Sequence, residues 1–368
     1  MFHSAGQLKW NGTSDSGIAC TIPSKSQPLA DRSGEIDTKL IEENHLGIVL
    51  SKPARPLEPF RLSPEFRNRV WGFEDLTPWF NVRAEGDPIG EVWLTADTCV
   101  VETGANAGKQ LQQVIQEFGP ELLGPKFQGT SFPLLVKVLF PREKLSVQVH
   151  PDDKLAQQYG LPRGKTECWY ALGAEPGATV AVGFKPGVTE DQVRQAIEDA
   201  TLENLLEYLP FSKGEMIFVD AGTVHAIGPG SVILETQQNS DVTYRLYDYG
   251  RPRELHVDRS LEAMRASTRA GKVPARVEGN HITLIDEHYF RVDSFQLHGV
   301  VSSQELAVSD PNEVQIFFVV DGDAKIAGDG FETFSLSRCQ VAVIPASCGP
   351  WDLHCDRSVE IVRMVPKG

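Results

Sequence analysis

The sequence predicts a mainly β protein of the sandwich or barrel class, with a few helical insertions. Two observations carry that prediction. Short runs rich in β-branched and aromatic residues recur along the chain, bounded by Gly, Pro and Asp. Only two stretches show helical periodicity. Short strands at regular spacing with turn signals between them are the mark of sandwiches and barrels.

The first 55 residues stand apart. They are rich in Ser, Gly, Thr, Pro and Asp and lack hydrophobic periodicity. Residues 1–55 therefore read as a flexible extension, weakly helical at most around 36–45. From Pro56 the pattern changes, and strands are expected over 91–94, 134–140, 145–150, 179–184, 216–219, 231–235 and 243–247. The segment 165–170 also reads as a strand. Helices are expected over 109–118 and 191–208. In the second, Val193, Ala196, Ile197, Leu202, Leu205 and Leu206 fall near i, i+3, i+4 spacing behind Thr189 as N-cap. A polar link, 266–279, precedes a second strand-rich block, with strands expected over 290–295, 313–320, 324–327, 341–344 and 359–364. Two folded domains follow, 56–265 and 280–368.

Composition narrows the function. The 368 residues carry a formal net charge of −15, which repels nucleic acid and anionic membranes unless a basic patch is set apart. No such run of Lys and Arg is present, so neither is an expected partner. No stretch approaches the ~18 apolar residues of a membrane-spanning helix. The start, 1–10, lacks the basic and apolar regions of a secretory signal. The six cysteines form no CxxC pair, which suggests reduced, mostly buried thiols in a cytoplasmic protein. The chain is expected to be a monomer or a weak homodimer.

The chemistry-bearing residues concentrate in the first block. Gln148 and His150 are two apart, so on a strand both face one side. Glu167 follows after a turn through 162–164, and His225 ends a strand-and-turn segment opened by Gly214. Imidazole and carboxylate are accepted ligands for a divalent metal such as zinc. A lone His in a strand is usually a hydrogen-bonded core residue, but four candidates at this spacing reverse that. The spacing resembles the two motifs of the cupin superfamily, with Gly214, Gly222 and His225 at matching positions and Asp220 where the general motif has Pro.

Gln as the first ligand narrows the resemblance. The run 148–153, Gln-Val-His-Pro-Asp-Asp, resembles the signature of the type I phosphomannose isomerases, a cupin family. Further likeness lies in 69–72, 90–93, 144–148, 165–167 and 221–228, and 237–256 resembles the shorter bacterial branch. Together these cover about residues 56 to 365. The resemblance implies two jelly-roll barrels and one divalent metal, most naturally Zn2+, held by Gln148, His150, Glu167 and His225. It also implies interconversion of mannose 6-phosphate and fructose 6-phosphate through a cis-enediol.

That reaction needs stabilised negative charge on O1 and O2, a base at the carbon-bound proton and a held phosphate. Lys144, Lys165, Glu235, Asp241 and Arg245 match the family's active-site positions. Arg245 is expected to stabilise charge near the substrate, and Lys165 or Glu235 to move the proton. Taken singly, Lys and Glu on strands are usually solvated, and Asp241 with Arg245 also fits a structural ion pair. His256 reads as packing or as a support for the site. His281, His288, His298 and His354 show no ligand spacing, so the second barrel reads as one without metal. Two departures stand out: Thr166 replaces a Pro next to the Glu ligand, and residues 98–100 lack a Gly-x-Ser. Two other readings remain: a metal cupin of another reaction type, such as a dioxygenase, and a non-catalytic sugar-phosphate-binding cupin.

Overall fold

A computed structural model describes residues 56–307 and 312–367. The flexible extension expected over 1–55 lies outside the described residues. Among those residues, the strands form sheets of nine, seven and five strands. The mainly β prediction is what the structure shows.

The seven-stranded sheet is centred on Leu134–Leu139, Ser231–Gln238 and Glu167–Ala174. Leu134–Leu139 is buried at every position, as its near-continuous apolar sequence requires. The five-stranded sheet runs in the order Tyr244–Tyr247, Val147–Val149, His225–Ile227, Thr179–Phe184, Leu206–Pro210. The expected strand over 145–150 is therefore only three residues long.

The nine-stranded sheet is built mostly from the second block. Its longest members, Phe290–Ser302 and Trp351–Pro366, pair antiparallel along most of their length. Phe60–Leu62, from the start of the first block, adds to this sheet by pairing with Val341–Ile344. The largest apolar cluster likewise runs from Leu57 to Met364 and draws on both blocks.

The helices depart from expectation in instructive ways. Glu190–Glu198 starts at Thr189, whose hydroxyl accepts from Gln192 N while the Gln192 side chain accepts from Thr189 N. It does not continue to 208. Ala200 takes φ +54, and after a short 3-10 turn Leu202–Leu205 the chain becomes strand Leu206–Pro210. Leu202 and Leu206 are buried, so their helical spacing came from two separate elements. The helix expected over 109–118 spans Leu111–Leu123 and is kinked at Gly119, φ +24, before Pro120. Asp153–Gln158 and Val257–Ala263 are helices without a clear sequence signal. Among the described cysteines all are free, and all but Cys348 are buried. Among the described residues, no helix is long and apolar enough to cross a membrane.

Candidate metal centre and active-site cavity

The five- and seven-stranded sheets bring the chemistry together. On the first, one cross-strand row holds Arg245, Gln148 and His225. On the second, a row holds Trp93, Lys137, Glu235 and Trp169. Glu167 begins the Glu167–Ala174 strand, directly opposite Gln237. His150 follows the Val147–Val149 strand by one residue.

His150, Glu167 and His225 converge, all buried, with one ligand atom from each within 4.8 Å of the others. Glu167 Oε2 is 3.6 Å from His150 Nε2, and Glu167 Oε1 is 3.4 Å from His225 Nε2. Gln148 Nε2 lies 3.2 Å from His225 Nε2. Donors about 2.1 Å from one cation at tetrahedral angles lie about 3.4 Å apart, so these edges fit a small divalent ion. The Lys165 amine meets Glu167 Oε2 at 2.7 Å, while Oε1 has no hydrogen-bond partner, an orphaned buried acceptor whose cost a cation between the ligands relieves. His225 Nδ1–H donates to the Thr223 carbonyl at 2.9 Å, leaving the Nε2 lone pair facing the cluster. Burial pushes His225 down to about 4 and His150 well below its usual value. Both rings are then neutral near pH 7, as ligands must be. Gln148 offers its amide nitrogen to His225 as drawn; rotation of the amide by half a turn offers the oxygen instead. The donor set fits a metal.

A cavity of about 410 Å³ opens beside this cluster and is lined by Gln148, Lys165, Glu235, Asp241 and Arg245, among others. Lys165 Nζ sits 2.7 Å from Glu167 Oε2 and 3.2 Å from His150 Nε2. Glu235 is buried and accepts from Trp169 Nε1 at 3.2 Å. Burial pushes its carboxyl upward. Arg245 is anchored through its backbone, whose N–H donates to His256 Nδ1 at 3.1 Å, and through a guanidinium bond to the Glu254 carbonyl at 2.8 Å. Of the sequence-derived residues, Lys144 stands apart. It precedes the short strand, is half exposed, and pairs with Glu203 at 2.6 Å rather than lining the cavity.

Two residues were missed from sequence. Lys137 lies in the wholly buried Leu134–Leu139 strand with its amine 3.5–3.7 Å from Asp241, Glu235 and Glu91. Burial favours loss of its proton, but those carboxylates outweigh it and hold its pKa above the usual value. Glu91 in turn takes a two-pronged bond from Arg69 at 2.9 and 3.0 Å and one from Trp93 Nε1 at 2.6 Å. A single Lys inside an apolar strand was the available signal for the pair.

The phosphomannose isomerase type I catalytic domain matches residues 59–209. The chain is 36% identical over 316 residues to mannose-6-phosphate isomerase ManA of Bacillus subtilis (strain 168), covering 81% of this chain and 96% of that one. It is 32% identical to the mannose-6-phosphate isomerase of Streptococcus mutans serotype c, covering 82% and 97%. The chain belongs to the type I phosphomannose isomerase family. The crystal structure of the Bacillus subtilis mannose 6-phosphate isomerase superposes with a TM-score of 0.74 at 27% identity, over 84% of this chain and 99% of that one. The cupin architecture expected from the motifs is therefore the architecture of this phosphomannose isomerase family member. The family is metal-dependent, and the His150, Glu167, His225 cluster is this chain's candidate site for the ion.

Two departures, Thr166 from the family pattern and Asp220 from the general cupin motif, have local reasons. Thr166 donates its backbone N–H to Gln238 Oε1 at 2.9 Å, a bond Pro lacks, and its hydroxyl accepts from Ala221 N. Asp220 accepts from the Thr223 hydroxyl at 2.9 Å and from Arg269 N at 3.1 Å, fixing the turn that delivers His225. Among the described residues the nine-stranded sheet assembles no comparable ligand group.

Proposed function

We propose that this chain interconverts mannose 6-phosphate and fructose 6-phosphate through a cis-enediol. Zinc is the preferred ion, held by His150, Glu167, His225 and the Gln148 amide oxygen. The observation that carries the reading is a buried His/Glu/His cluster next to a cavity lined by Gln148, Lys165, the Lys137–Glu235 pair and Arg245. The bound ion supplies Lewis-acid polarisation of the sugar's O1 and O2. Glu235 takes the proton from C2 and returns it to C1, while O1 gains a proton as the cis-enediol forms and O2 gives one up as it collapses to the ketose. Its carboxyl is pushed upward by burial, toward the range where a carboxylate is an effective base. Lys165 is less suited, since its amine is engaged by Glu167 and His150. Lys137, kept charged by three carboxylates, stabilises charge developing on the sugar oxygens. Arg245 and Arg253 give the cavity's mouth the positive charge that a phosphate needs. Arg253 is braced by two bonds of 2.6 Å to buried Asp248. The division into a catalytic portion, 56–265, and a C-terminal portion, 280–368, is part of this reading.

The test is a coupled assay for fructose 6-phosphate formed from mannose 6-phosphate, before chelation, after it, and after zinc is returned. Turnover is expected to vanish with chelator and return with zinc. A zinc-loaded protein without turnover would favour a non-catalytic sugar-phosphate binder and overturn the reading.

A further inference from the structure

The segment that carries Lys165 and Glu167 is held at successive backbone positions. Three consecutive backbone amides are each tied down from outside. Gly164 N donates to Asp153 Oδ1 at 2.7 Å, Lys165 N to the Pro151 carbonyl at 3.0 Å, and Thr166 N to Gln238 Oε1 at 2.9 Å. The Asp153 carboxylate links two of these ties, because Gln238 Nε2 donates to the same Oδ1 at 3.0 Å. Its other oxygen accepts from Tyr289 Oη at 2.6 Å. Tyr289 immediately precedes the Phe290–Ser302 strand of the nine-stranded sheet. Gly164 shows how closely the two backbones approach: a Cβ there would lie 2.5 Å from Asp152 C and 2.6 Å from Pro151 O.

We propose that Asp153 is a positioning residue for the 165–167 segment, and that through Tyr289 it makes the C-terminal sheet part of the frame that sets Lys165 and Glu167. The proposal rests on the reading of His150, Glu167, His225 and Lys165 as the reaction centre. The reaction centre tolerates little displacement. Lys165 Nζ meets Glu167 Oε2 and His150 Nε2 at 2.7 and 3.2 Å, and a misplacement of about 1 Å in such a group costs on the order of 100-fold in rate. The backbone that sets these positions has a single carboxylate joining it to the metal strand, to the strand bearing Glu235 and to the nine-stranded sheet. Asp153 fits that role: burial alone would raise its carboxyl, but bonds from Tyr289, Gly164 and Gln238 hold it below the usual range and ionised. Its side chain lines the cavity on the far side of the segment rather than the catalytic cavity, so it acts through the segment.

The experiment uses the full chain and the variants Asp153→Asn and Tyr289→Phe, each zinc-loaded. Three quantities are read: kcat and KM separately, zinc affinity by competition with a chelator, and hydrogen exchange at the 164–166 amides. For Asp153→Asn we expect kcat and zinc affinity each to fall about 10–100-fold, KM to stay within about twofold, and exchange at Gly164 and Thr166 to quicken. Tyr289→Phe is expected to follow in the same direction with a smaller fall. Unchanged kcat in the zinc-loaded variants, with only a lowered melting temperature, overturns the positioning role, because a purely structural carboxylate would behave so. If Asp153→Asn fails to fold, Tyr289→Phe decides, and wild-type kcat and exchange in it overturn the role. Glu167→Gln separates this proposal from the site reading. Retained zinc and turnover in Glu167→Gln overturn the site itself, and with it the role built on it. Their loss there, with wild-type behaviour in the other two variants, overturns the positioning role alone.

Discussion

Lys137 keeps its charge inside an otherwise apolar strand because three carboxylates surround it, and that arrangement governs its neighbours. Burial alone would raise the Glu91 carboxyl, but Lys137 and Arg69 outweigh burial and hold it down at about 2. A carboxyl lowered from 4.5 in this way stabilises the fold fully above pH 4.5, and that stability drains as pH falls from 4.5 to 2. The contribution is about 3 kcal/mol at most. Glu235, pushed upward, has the opposite sign, so the comparison is made between proteins rather than in one. Urea unfolding of the wild type should show a steeper loss over that window than Glu91→Gln; parallel profiles would refute the linkage. Glu235→Gln removes the proposed base and is expected to lower kcat about 100- to 10,000-fold with zinc still bound. A loss under tenfold, measured by the coupled assay, would move the proton-transfer role to Lys165. The candidate ligands His150, Glu167 and His225 could be picked out in sequence because strand geometry and a turn fix their spacing, and the structure brings the three together. Lys137 and Glu91 were not, since a lone Lys or Glu on a strand ordinarily faces water, and only the packed sheet reveals which ones face inward.

Individual strands fix where these groups can point. The Val147–Val149 strand is short, and its brevity moves Lys144 off the inner face to the rim, where Glu203 receives it. The resemblance implied an active-site position for Lys144, and the three-residue strand does not extend to it. The helix expected over 191–208 failed for a related reason: two buried stretches on either side of Ala200 mimicked one amphipathic face. Close strand approach matters at Gly72, in Glu65–Phe73, where the ladder to Ile89–Trp93 is irregular. A Cβ at Gly72 would land on the backbone of Ile89 and Gly90, and backbone has no alternative rotamer to offer. Gly72→Ala is therefore expected to destabilise by about 1–3 kcal/mol, read as a shift in the denaturation midpoint. An unchanged midpoint would mean that the two strands have room to part. Strand identity was largely readable, because β-branched runs bounded by Gly and Pro are a local signal. Strand ends and pairings were not, because they are decided by partners distant in sequence.

The whole molecule is knit across its two strand-rich blocks. The cluster that includes Leu134 and Leu172 from the first also includes Ile316, Phe318 and Met364 from the second. Tyr170 Oη donates to Glu360 at 3.0 Å between them. A fragment of residues 54–270 keeps every proposed metal ligand but lacks about a third of that cluster's buried residues, so the side chains they covered open to water. Such a fragment is expected to lack a cooperative thermal transition and near-UV circular dichroism; a sharp transition would show that the first block folds by itself. Composition and motif predicted the β class and the barrel, yet nothing local could announce that Phe60–Leu62 belongs with Val341–Ile344. That pairing has a consequence in time. A ribosome adds about 5–20 residues per second, so Phe60–Leu62 waits roughly 15–55 s for the strand that will receive it. Until then its hydrogen-bonding edge and the apolar side chains of Phe60 and Leu62 are on offer to any other chain nearby. Slower synthesis lengthens that exposure and faster synthesis shortens it.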